Sequence, residues 1–124
     1  MRRPHFLPAV LSVTLLAFGG CGKSGEAPQP VSLSEASAGV KSAFSTAPAG
    51  LKESAEEAAQ GIADGNYASA FVQLDNLASH PELTPEQRRS LAESQITVMQ
   101  KLSEAAAQGD ESAAKALEIH RARK

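Results

Sequence analysis

An all-α fold, a small bundle of four to five helices built from two antiparallel helical hairpins, follows from three observations. From residue 51 onward the apolar residues recur at helical spacing with almost no interruption. The breaks in that pattern carry helix stop-and-start signals, Gly65-Asn66 and Gly109-Asp110. Aromatic residues make up only 4% of the chain, so the apolar content is mostly alanine, leucine and valine, which suits closely packed helices. At 124 residues there is material for one domain. The expected division is a processing segment over 1–20, a tether over 21–31 and the helical domain over 32–124.

The first helical segment, "SLSEASAGVKSAF", has Ser32 and Glu35 at capping-box spacing and Leu33, Ala36, Val40 and Phe44 on one face. Gly39 weakens it by up to about 1 kcal/mol relative to alanine, and "STAPAG" ends it. The second, "LKESAEEAAQGIAD", places Leu51, Ala55, Ala58, Ala59 and Ile62 on a stripe, with Glu53, Glu57 and Gln60 opposite. Gly65 suits the position just past a helix C-terminus and Asn66 the N-cap of the next helix. That third segment, "YASAFVQLDNLAS", carries Tyr67, Ala70, Phe71, Leu74, Leu77 and Ala78 on its stripe. A two-residue junction between such segments predicts an antiparallel hairpin.

"HPEL" closes the hairpin, and "TPEQ" opens the best-signalled helix: Thr84 at N-cap, Pro85 at N1 and Gln87 at N3. Its projection puts Leu91, Ala92, Ile96, Val98, Met99, Leu102, Ala105 and Ala106 on a buried half. Glu93, Ser94, Thr97, Gln100, Lys101 and Glu104 fall on the opposite half, and Arg88 falls near the start of the apolar side. Gly109 and Asp110 then repeat the stop-and-start signal, and a last helix to about Arg121 carries Ala113, Ala116 and Leu117.

"GNYASAFVQLDNLASHP" resembles the second helix of a tetratricopeptide repeat, through Gly65, Tyr67, Ala70, Leu74 and the closing Pro81. The resemblance implies a stacking, partner-binding scaffold. The preceding helix departs from that family, having Ser54 and Ala58 where the repeat's first half has an aromatic residue and a glycine.

The N-terminus is of another kind. "MRRPH" is basic, "FLPAVLSVTLLAF" is uncharged and apolar over 13 residues, and Gly19 and Gly20 precede the only cysteine, Cys21. Thirteen helical residues rise about 20 Å, short of the roughly 30 Å hydrocarbon core of a bilayer. A basic flank, a short apolar run and small residues at its end are the pattern of a removable secretory signal. "LAFGGC" further resembles the lipobox of bacterial lipoproteins, with Phe18 where that family usually has leucine. The resemblance implies cleavage between Gly20 and Cys21 and lipidation of Cys21, with two or three acyl chains holding the chain to a membrane. With Gly22 following the cysteine, and no retention aspartate, the family rule points to the periplasmic face of the outer membrane. "GKSGEAPQPV", residues 22–31, cannot bury enough apolar surface to order itself and is expected to be a flexible tether.

Charge and motif content limit the chemistry. Loss of Arg2 and Arg3 with the signal leaves 10 basic against 14 acidic side chains, a net charge of −4. Such a balance disfavours nucleic acid. His80 and His120 each stand alone, no zinc-type histidine spacing occurs, and no serine sits in a nucleophile-elbow setting. Glu53, Glu56 and Glu57 read as a solvated face near a helix N-terminus. No catalytic residue, metal or cofactor is expected, and a protein partner is. The terminal "RARK" is similar to the end of the major outer-membrane lipoprotein, which implies attachment of Lys124 to peptidoglycan as the alternative. That family is one uninterrupted heptad helix, whereas Gly65, Pro81, Pro85 and Gly109 divide this chain.

Overall fold

The computed structural model describes residues 27–124, and the signal segment, Gly20 and Cys21 lie outside them. Among the described residues there are five helices: α1 (Leu33–Ala43), α2 (Ala49–Ala63), α3 (Tyr67–Ala78), α4 (Pro85–Ala107) and α5 (Glu111–Ala122). The predicted all-α bundle is the observed one. Helix α1 packs on α2 and α4, and α3 packs on the same two, so α1 to α4 close a four-helix ring; α5 lies against α4 and, less extensively, α3.

The start and stop signals work largely as the sequence indicates. The Ser32 hydroxyl accepts from the Glu35 N–H, and the Glu35 carboxylate accepts from the Ser32 N–H in return. The hydrogen bond from the Ser32 backbone N–H and, after it, the Ser32 side chain hold the Glu35 carboxyl below its ordinary range. Thr84 and Gln87 form the same reciprocal pair at the start of α4. Gly65 and Gly109 have φ of 77° and 95°, in the left-handed region that glycine enters without strain. At both sites two backbone bonds close the helix end: Gly65 and Asn66 donate to Ile62 and Gly61, and Gly109 and Asp110 donate to Ala106 and Ala105. Asp110 caps α5 by accepting from the Ala113 N–H. Asn66 holds the N-cap position of α3, but its side chain makes no capping bond.

The core runs through all five helices, with Phe44, Ile62, Leu74, Leu77, Leu91 and Leu102 its largest fully buried side chains. Helix α2 contributes mostly alanines, which lets α3 come close: a Cβ added at Gly61 would lie 3.2 Å from the Cβ of Ala70.

The predicted faces of α4 need correction. Ser94 and Thr97, assigned to the solvated half, are 1% and 4% exposed, and Gln87 is buried as well. Ile96 and Met99, assigned to the buried half, are only partly covered. The reason is α1, which covers this flank of α4 and is met there by side chains that bond to its main chain. The Gln87 amide donates to the Ala43 carbonyl at the end of α1, and the Ser94 hydroxyl reaches the Ala36 carbonyl at 3.4 Å. Thr97 Oγ1 accepts from the Val31 N–H at 2.9 Å and has the Val31 and Glu93 carbonyls within 2.8 and 3.1 Å for its own proton. From the other side, the Ser37 hydroxyl donates to the Ala59 carbonyl of α2. Val31, counted in the tether by its sequence, is thus tied to the bundle, while residues 27–30 are exposed and outside any helix. Ala78, placed on the α3 stripe, is exposed because it lies at the last turn beside the loop to α4.

These bonds differ in what their loss leaves behind. Thr97→Val strands both main-chain groups of Val31 and is expected to cost about 1–3 kcal/mol. Ser94→Ala removes one long bond to a helical carbonyl and is expected to cost under about 1 kcal/mol. Urea unfolding of the two variants checks the order, and equal costs would mean that Val31 is not held by Thr97.

Candidate functional site

Several shallow features lie on the surface of the described residues. One, about 690 Å³, is an open groove between α1 and the end of α2, lined among others by Leu33, Ser37, Lys41, Ile62, Asp64 and Tyr67. Lys41 also borders an adjoining depression with Glu53, Glu56, Glu57 and Gln60. These three glutamates are exposed on α2, as their sequence positions indicate, and Glu57 accepts a hydrogen bond from the Gln73 amide of α3. No group of three or more His, Cys, Asp or Glu side chains that could hold a metal occurs among the described residues.

Another feature lies across α3 and α5. Val72 and Ile119 are the exposed large hydrophobic residues of the described chain, 49% and 45% accessible, and they border the same small cleft. Its floor is Phe71, whose ring meets His120 edge-on at a centroid distance of 5.1 Å. At its end Arg123 Nη1 reaches Asp75 Oδ2 at 3.4 Å. Neither Val72 nor Ile119 belongs to the apolar stripes read from the sequence, which serve burial inside the monomer. The signal that could have found them is a large aliphatic residue on the otherwise polar side of each of two amphipathic helices.

The expected site residues fall as follows. Gly20 and Cys21 lie outside the described residues. Lys124 is exposed just past the end of α5. His80 is exposed in the loop after α3, and His120 packs on Phe71. Arg88, projected toward the apolar side, is exposed; the neighbouring Arg89 instead reaches Glu93 at 2.8 Å, one turn along the helix. On the opposite end of α4, Glu104 at 2.9 Å holds the Lys101 ammonium above its ordinary range. Of the hairpin residues, Gly65 reverses the chain between α2 and α3, Tyr67, Ala70 and Leu74 lie along α3 with Ala70 and Leu74 buried, and Pro81 sits exposed in the following loop.

No helix among the described residues is long and apolar enough to cross a membrane. No family model, curated protein or solved structure matches this chain.

Proposed function

We propose that this chain is a lipid-anchored protein of the bacterial cell envelope whose helical bundle is a non-catalytic interaction module. The observation that carries the reading is "LAFGGC", an apolar run with a basic flank that ends in two glycines and the only cysteine. Cys21 supplies the anchor, and Gly22 after it favours the periplasmic face of the outer membrane. Each buried methylene of an acyl chain contributes about 0.8 kcal/mol, so one chain binds reversibly and two or three hold firmly. Between the anchor and Val31 the chain reaches at most about 33 Å, at roughly 3.3 Å per residue. The bundle can therefore stand clear of the headgroups and meet a protein partner. The likeness of the α2–α3 hairpin to a tetratricopeptide helix supports a scaffold role of the same kind.

The test is the intact mass of the protein extracted from native membranes, beside the same measurement on Cys21→Ala. A species beginning at Cys21 and carrying acyl mass is expected, with the variant moving to the soluble envelope fraction. An unacylated species that begins upstream of Cys21 would overturn the anchor and leave a secreted helical protein.

A further inference from the structure

Helices α3 and α5 run parallel, with α5 beginning about one turn earlier, so that its later turns lie beside the earlier turns of α3. Each is joined to α4 by a reversing connection, and pairs across them rise together along the chain: Phe71 meets His120, and Asp75 meets Arg123. One turn before that ion pair stand Val72 on α3 and Ile119 on α5, both exposed and bordering one cleft. The face is therefore an apolar pair beside an acid–base pair, with one member of each on each helix. Such a face is complementary to itself. A two-fold axis parallel to the helices sets α3 of one copy opposite α5 of the other at equal height. Val72 then meets the second Ile119, and Asp75 meets the second Arg123, twice over.

We propose that this face binds a second copy of the chain, forming a symmetric dimer through α3 and α5. The Asp75–Arg123 contact within one copy is long and its side chains are 40% and 65% exposed, so exchanging it for contacts between copies gives up little. The roughly eight residues over which the two helices lie side by side present a face about 12 Å long and about 20 Å wide. That is well under the roughly 800 Å² per partner of a stable interface, so the dimer is weak and reversible. The same axis leaves both copies of Val31 at one height along it. Two anchors in a single membrane satisfy this geometry, and anchoring raises the effective concentration of the copies. The proposal names the partner of the interaction-module reading and rests on it to that extent, but the self-complementary face does not depend on acylation.

Sedimentation equilibrium of the full chain in density-matched detergent tests it. The wild type is expected to approach twice its monomer mass, with half-association on the order of 100 μM, and Val72→Glu and Ile119→Glu to remain monomeric. Asp75→Arg alone and Arg123→Asp alone each place like charges opposite one another in a dimer and are each expected to weaken it about tenfold or more. Mixed in equal amounts, these two variants restore both opposite-charge contacts and are expected to associate as the wild type does. A wild type that stays monomeric up to about 1 mM overturns the proposal. So does a dimer that survives Val72→Glu, or a mixture no more associated than its two components. Helical circular dichroism of each variant confirms that the surface changes leave the bundle folded. The mass measurement on Cys21 has an independent outcome, so loss of the anchor reading and loss of the dimer are told apart.

Discussion

Phe44→Ala is expected to cost about 3–5 kcal/mol, as truncations of fully buried phenylalanines do. Phe44 sits at the C-cap of α1 with its side chain 0% exposed, and it carries the end of that helix into the core shared with α2 and α4. Removing the ring forfeits its transfer free energy and leaves a cavity. That cavity cannot close readily, because α1 is held in place by the bonds from Gln87, Ser94 and Ser37 to main-chain carbonyls. A domain of this length has about 5–15 kcal/mol of total stability, so the variant loses a large share of it. The corresponding fall in Tm is about 12–40 °C, at about 4–8 °C per kcal/mol. Phe44→Leu should recover more than half of the loss. Urea titration followed by helical circular dichroism measures both, and a cost below about 1 kcal/mol would mean that α1 is not docked as described.

The second large effect is expected at Gly61, on the α2 face that meets α3. A Cβ there would lie 3.2 Å from the Ala70 Cβ and 3.5 Å from the Ala70 Cα and N, so the obstacle includes backbone that cannot rotate away. Gly61→Leu must push the two helices apart and is expected to cost about 2–3 kcal/mol by overpacking. Gly61→Ala is a different case. The helix gains about 1 kcal/mol from replacing glycine, and the neighbouring chain must yield by only a few tenths of an ångström. The two effects oppose, and a net change within about 1 kcal/mol is expected. Chemical denaturation of the pair is the measurement. A Gly61→Leu protein as stable as the wild type would show that α2 and α3 do not approach closely at this point.

These two positions illustrate how much of the bundle could be read from the chain. Phe44 was legible as the last member of the 33–36–40–44 stripe, and its burial follows from that spacing. Gly61 was not, because a glycine inside a helical pattern has no apolar side chain to place it on a stripe, and only the proximity of Ala70 explains its presence. For the candidate site the division is sharper. Cys21 and Lys124 are sequence readings, one outside the described residues and one exposed past α5. The Val72–Ile119 face could not be read as a unit, because its halves are 47 positions apart and meet only when α3 and α5 lie side by side.

The all-α class, the capped starts of α1, α4 and α5 and the two glycine reversals at Gly65 and Gly109 follow from the sequence, because caps, proline at N1 and left-handed glycines act through bonds within a few residues, whereas α2, whose N-cap Pro48 makes no side-chain bond, begins at Ala49 inside the stretch read as a break. The inward face of α4 does not follow from it either. A projection separates apolar from polar residues, and on that basis Ser94 and Thr97 belong outside. Their burial was decided when α1 came to lie across them, since a hydroxyl that finds a main-chain carbonyl or N–H can leave water without the usual loss. Which polar groups will find such partners depends on residues 58 and 66 positions away, a distance over which only the closed tertiary structure brings the two together.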